Sequence, residues 1–231
     1  MEAPVDLLNR WKVSLPASVT LGGALTKSPV AYKWKAPYRC LVLREVLFWR
    51  TYDLLLQAQL LHEHRHTLGS RLLLRSGLES AATLGFLNHC TQALLDGVSV
   101  FSDFDKKTRL LLLGSRDRST RYDSVSVLTI LKHVEKSYPG VTALYGALSE
   151  IAHPNFEGVC FGYSEIDHER HETAFRVKLH DMWGDRHDSL FAVVAAFFEH
   201  EYNEVWAPQQ EHLERWFTEN DARLNAARQG P

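Results

Sequence analysis

The sequence predicts an all-α protein, an antiparallel helical bundle with one small β-hairpin inserted near 160–180. Three observations carry this. Long stretches run without a helix breaker, YRCLVLREVLFWRTYDLLLQAQLLHE (38–63) among them. The connections between apolar stretches are short, as antiparallel neighbours require. A two-residue period shows at only one place, where Phe161, Tyr163 and Glu165, then Phe175, Val177 and Leu179, alternate with other residues around the charged tip DHERHE.

Taken in order, residues 1–37 form an N-terminal arm, rich in Gly, Pro, Ser and Thr at SLPASVTLGGALTKSPV, with a short helix near Val5–Lys12. A long helix follows from about Pro37, and a second from Thr67 to Leu95. DFDKKTRLLLLG reads as a shorter helix with Asp103 as cap and Gly114 as stop. SVSVLTILKHVEKS is the next, and VTALYGALSEIAH the one after. Pro154 ends that helix, because a residue before proline disfavours helical backbone, so His153 lies at its C-terminal limit. DSLFAVVAAFFEHEYNEVW places apolar residues at helical spacing until Pro208 breaks or kinks it. The last helix has the stripe Trp216, Phe217 and Leu224. The implied organisation is an arm at 1–37, a bundle domain at 38–206 and a C-terminal helix at 207–231 that packs on the bundle or on a partner.

Composition narrows the function. The chain has 231 residues, 45% hydrophobic and 23% charged, with a formal net charge of −2. That length buries a substantial core, and that charge leaves nucleic-acid or anionic-lipid binding to a local patch. Cys40, Cys90 and Cys160 are odd in number and widely spaced, which predicts buried free thiols in a reducing compartment. No apolar run suits a bilayer span and MEAPVDLLNRWKV does not read as a secretory signal, so the expectation is a cytoplasmic protein without membrane contact.

One helix has a charge problem. Wound at about 100° per residue, the segment Leu68–Leu87 is apolar nearly all round, as in a helix buried inside a bundle. Yet Arg71, Arg75 and Glu79 follow one another along it at steps of four. Desolvated charges need partners. Arg75 and Glu79 can take each other, and a second polar set from another helix would complete the group. Glu150 and His153, three apart on one face, are the candidates, and Asn155 follows the break. A neighbouring carboxylate and the helix C-terminus both favour the imidazolium form of His153.

Two fragments together, LLLRSGLESAATLGFL and YGALSEIAHPNFEG, resemble bacterial proteins of the HEPN type (higher eukaryote and prokaryote nucleotide-binding), over roughly residues 38–206. The resemblance implies an antiparallel bundle that is often dimeric. It also implies that the chain is related to RNA-cutting toxins and defence effectors that work without a metal. In active members an Arg precedes a His by four to six intervening residues, and no His here has that Arg. On this reading His153 is a general acid–base oriented by Glu150, Arg75 binds an anion or holds Glu79, and Asn155 donates hydrogen bonds or caps the turn. Catalysis itself stays open, and no cofactor or metal is expected.

Other constellations compete. DKKTRLLLLGSRDRSTRYDS gathers Lys106, Lys107, Arg109, Arg116, Arg118 and Arg121, a basic patch for RNA phosphates. Tyr122 is the only aromatic after the Arg run, which gives base stacking little support. Glu63–His66, Glu150–His153 and Glu165–His168 share the spacing of di-metal carboxylate bundles, with Glu79 and Glu199 as further ligands. HEHRH at 62–66 reads as a solvated turn. The remaining alternative is an interaction module without chemistry, its charged cluster a structural lock and its C-terminal stripe a docking face. Expected partners are a second copy, RNA and a cognate protein.

Overall fold

The computed structural model describes residues 2–20, 22 and 26–229. The part of the N-terminal arm at 21 and 23–25 lies outside the described residues. The chain is mostly α-helical with one small hairpin, the class its breaker-free stretches predict. The helices are α1 (Pro4–Ser14), α2 (Lys35–Glu63), α3 (Thr67–Leu95), α4 (Phe101–Leu113), α5 (Val127–Val134), α6 (Val141–Glu150), α7 (Leu179–Trp183), α8 (His187–Glu199) and α9 (Trp206–Gln229). Strands β1 (Ser164–Asp167) and β2 (Glu172–Phe175) pair antiparallel, with Ser164 opposite Phe175 and Asp167 opposite Glu172. No described helix is long and apolar enough to cross a membrane.

The residues gather into two compact units, each discontinuous in sequence: 1–15, 49–81 and 135–197 form one, and 16–48, 82–134 and 198–231 the other. In the first, the early part of α3 packs through Leu74 and Leu78, both buried. A methyl group added at Gly77 would stand 3.2 Å from Val194 Cγ1 and 3.5 Å from Leu55 Cδ2, so a glycine lets α2, α3 and α8 approach closely there. From Thr67 to Thr91 only His89 is exposed, as the all-round apolar pattern of α3 requires.

In the second unit the core is aromatic. Trp34 meets Phe101 at 5.4 Å between ring centroids and Phe217 at 6.2 Å, and Phe101 meets Phe217 edge-on at 5.6 Å. Trp34 Nε1 donates to Asp221 at 2.9 Å, and the Tyr32 hydroxyl donates to Glu214 at 3.0 Å. Phe217 and Leu224 are buried by these neighbours and others of the unit. The stripe read as a docking face is therefore largely covered by the chain itself.

Local expectations change at four places. Val100, not Asp103, caps α4; Asp103 falls in the first turn, where a carboxylate still meets the positive end of the helix dipole. Cys40 and Cys90 are buried, but Cys160 is exposed. Pro208 does not break the last helix. A π-helical turn, His200–Val205, precedes it, and a widened turn accommodates the carbonyl that proline cannot pair. In the HEHRH turn, residues 63–66 are exposed, but His62 turns inward.

Candidate functional site

The line of charges on α3 does reach α6, through a residue the sequence reading did not name. Arg75 Nε lies 3.4 Å from Glu79 Oε1. Arg75 Nη2 donates to the Tyr145 hydroxyl at 2.7 Å, and its guanidinium sits 4.8 Å from the centre of that ring. Tyr145 is on α6, five residues before Glu150. The aromatic face and the phenol oxygen together compensate a half-buried cation.

Glu150 and Asn155 form a separate pair. Asn155 Nδ2 donates to the Glu150 carboxylate, and Asn155 Oδ1 accepts from the Gly158 amide at 3.0 Å. Asn155 thereby caps the π-helical turn Phe156–Phe161. A Cβ at Gly158 would fall 2.1 Å from the His153 carbonyl oxygen, so this turn admits only glycine. The His153 ring is exposed. Among the described residues no hydrogen bond or ion pair joins Arg75 to His153, Glu150 or Asn155.

Arg71, one turn before Arg75, has a harder environment. It is 6% exposed, and among the described residues its Nε and Nη1 have no hydrogen-bond partner. Nη2 reaches the Ala147 carbonyl at 3.5 Å, and the guanidinium lies 5.0 Å from the centre of the Trp183 ring. Arg186 approaches that same ring at 5.3 Å. Burial and then the Arg186 charge pull the Arg71 pKa below its ordinary value.

A buried histidine network completes this unit. His187 Nδ1 is 3.0 Å from Ser70 Oγ, and its Nε2 is 3.0 Å from Gln59 Oε1. Gln59 passes the chain on, donating to Glu63 at 3.0 Å. The His62 ring stacks on His187 at 4.0 Å. Burial, then the neighbouring His62, pushes His187 down to about 4. Its sequence context, Arg-His-Asp at a helix start, gave no hint of this burial. Among the described residues no three or more His, Cys, Asp or Glu side chains come together as a metal site needs.

The second unit contains a cleft of about 450 Å³. Five cationic side chains line it: Lys33, Lys35, Arg39, Arg109 and Arg121. Trp34, Phe101 and Tyr122 add aromatic wall, and Asp105 is its one acid. Asp105 binds both Arg39 and Arg109, and Arg39 also donates to the buried Thr108 hydroxyl at 3.3 Å. Arg121 and Arg109 lie 5.0 and 5.7 Å from the Tyr122 ring centre. A hydrogen bond from Arg121 holds the Tyr122 phenol below its ordinary pKa. Of the six basic residues gathered in that stretch of sequence, Arg109 and Arg121 line this cleft. Lys106, Arg116 and Arg118 are exposed elsewhere and Lys107 is half-buried.

No family model, curated protein or solved structure matches this chain.

Proposed function

We propose that this chain is a HEPN-like RNA-binding protein that holds single-stranded RNA in the cationic cleft of its second unit. One observation carries the reading. Five cations face about 450 Å³ against a single carboxylate, a formal excess of four positive charges in a chain whose net charge is −2. Such a volume suits a nucleotide-sized group. Cations beside aromatic walls suit phosphates flanked by bases. The resemblance of the α3 and α6 fragments to HEPN-type proteins supports RNA as the class. The free thiols support action in the reducing cytoplasm, in stress or defence.

The test is fluorescence anisotropy with a labelled single-stranded RNA across a salt series. Binding weakens linearly in log[salt], and Lys35→Ala with Arg121→Ala lowers both affinity and slope. Affinity that ignores salt, or that the double variant leaves unchanged, overturns the reading.

For the α3–α6 cluster the observations favour a structural lock over ribonuclease chemistry. Arg75 donates to Tyr145 and pairs with Glu79, and Asn155 holds Glu150 away from orienting His153. On this reading His153→Ala leaves RNA cleavage and cellular toxicity as they are, whereas Arg75→Met lowers the melting temperature. Loss of cleavage or toxicity in His153→Ala would restore the catalytic reading.

A further inference from the structure

The hairpin in the first unit is amphipathic the wrong way round for an isolated element. Its register places Ser164, Ile166, Thr173 and Phe175 on one face and Glu165, Asp167, Glu172 and Ala174 on the other. The polar face is internally paired: Arg176 bridges Glu165 at 3.1 Å and Asp181 at 3.0 Å. The apolar face is not covered. Phe175 is 82% exposed, Val177 66% and Ile166 61%. A two-stranded hairpin in water is marginal without a third strand or a packed face.

The outer edge of β2 is unpaired as well. The Arg176 amide donates to Tyr163 O at 3.1 Å and the Lys178 amide to Gly162 O at 2.9 Å, so even-numbered residues point their backbone groups at β1. Thr173, Phe175 and Val177 therefore turn theirs outward. Beyond β2 the chain leads through Arg176 and Val177 to Lys178, whose backbone turns helical where it caps α7, so the open edge carries the run Glu172-Thr-Ala-Phe-Arg-Val177 with Lys178 at its end.

We propose that a second copy of this chain adds its own β2 to this edge, giving a four-stranded antiparallel sheet across a two-fold axis at Phe175. The run is self-complementary about that residue. Phe175 meets Phe175 of the second copy in a hydrogen-bonded pair, Thr173 meets Val177, and Glu172 meets Lys178. Charge selects this register. Glu172 faces Asp167 across the hairpin, two carboxylates directly opposite, a destabilising arrangement. Among the described residues neither Glu172 nor Lys178 has an ion-pair partner. The Lys178 ammonium lies over the Phe161 ring, 5.4 Å from its centre. Sliding the strand to oppose Glu172 with Arg176 would compete with the two carboxylates Arg176 already holds. The resulting sheet puts Ile166, Phe175 and Val177 of both copies on one continuous face, and a two-fold contact of this kind closes without further growth.

Sedimentation velocity over a concentration series tests it. The wild-type chain is a dimer. Phe175→Glu, a change at an exposed position that leaves the helical circular dichroism intact, is a monomer. Glu172→Lys alone and Lys178→Glu alone each weaken the dimer about tenfold, since each replaces two attractions by two repulsions. Combined in one chain, the two substitutions restore opposite charges across the axis and recover the dimer. A monomeric wild type, a dimer indifferent to Phe175→Glu, or a double variant no better than the single ones overturns the proposal.

Discussion

Lowering the pH from 7.5 to 4.5 should destabilise this protein through His187. The Gln59 amide nitrogen donates to Glu63, so its oxygen faces His187 and accepts from Nε2–H. Nδ1 is then the bare nitrogen that accepts from Ser70. A second proton would enter a site 4% exposed, beneath a stacked imidazole at 4.0 Å. The unfolded histidine takes its proton near 6.5 and the folded one near 4. Between those values the unfolded chain binds more protons, so stability falls as pH falls. The contribution is complete above about 6.5 and gone below about 4. At roughly 1.4 kcal/mol per pH unit, the loss across the window is roughly 3 kcal/mol. His62, depressed mainly by burial, acts in the same direction. Urea denaturation at both pH values, on wild type and His187→Gln, measures it. Carboxylate effects common to both cancel in the comparison. The variant is less stable at pH 7.5 but should lose about 2–3 kcal/mol less on acidification. Equal acid losses in the two proteins, or the His187 imidazole titrating near 6.5 by NMR in the folded chain, would refute the reasoning.

Arg71→Met should raise the urea midpoint, stabilising by about 1–3 kcal/mol, because a buried guanidinium with two unpartnered nitrogens gives up more hydration than a 3.5 Å carbonyl contact and one aromatic face return. A destabilised variant would show that the cation is compensated. Asn88 Nδ2 donates to the buried Glu201 carboxylate at 2.6 Å and to the Glu201 carbonyl at 3.1 Å, so Asn88→Ala should cost about 2 kcal/mol by thermal melting. A change below 0.5 kcal/mol, a surface-sized effect, would contradict it. Ellman's reagent should modify Cys160 rapidly in the native protein, while Cys40 and Cys90, both buried and the latter with its pKa pushed up to about 11, react only on unfolding. Rapid reaction of all three thiols would be inconsistent with this core.

The helices were legible because their signal is local. Thr67 and Leu95 bound α3 where the apolar run begins and ends, and the alternation at 161–179 marked the hairpin. The Arg75–Glu79 pair was legible too, since four residues on a helix is a fixed vector. What Arg75 meets next was not. Tyr145 and Glu150 lie on the same short helix, and which of them faces α3 depends on how two helices rotate against each other. The cleft was illegible for a stronger reason. Its cations come from 33, 35, 39, 109 and 121, and no window of sequence holds them together. The patch at 106–121 looked dense because charges close in sequence look close in space, yet Lys106, Arg116 and Arg118 project away from the cleft. The orphan donors of Arg71 follow the same logic: steps of four revealed the charge, but only packing reveals that no acid came to meet it.

The cleft's charge is not all available to a ligand. Asp105 already holds Arg39 and Arg109, and Lys33 lies 3.5 Å from Asp221. Lys35 and Arg121 remain, together with what is left over when two guanidinium groups share one carboxylate. That sets the effective number of phosphates neutralised near three, and the salt slope for single-stranded RNA near −2, at about −0.7 per phosphate. Asp105→Asn should then do two opposite things. It removes the anchor of Arg39 and Arg109 and lowers the melting temperature. It also frees one positive charge, steepening the salt slope by about 0.7 and tightening RNA binding at low salt. Arg121→Ala should flatten the slope by the same amount and leave the melting temperature nearly unchanged, because its side chain is exposed. If Asp105→Asn weakens RNA binding in step with stability, Asp105 serves as a positioning group for the two arginines rather than a brake on them.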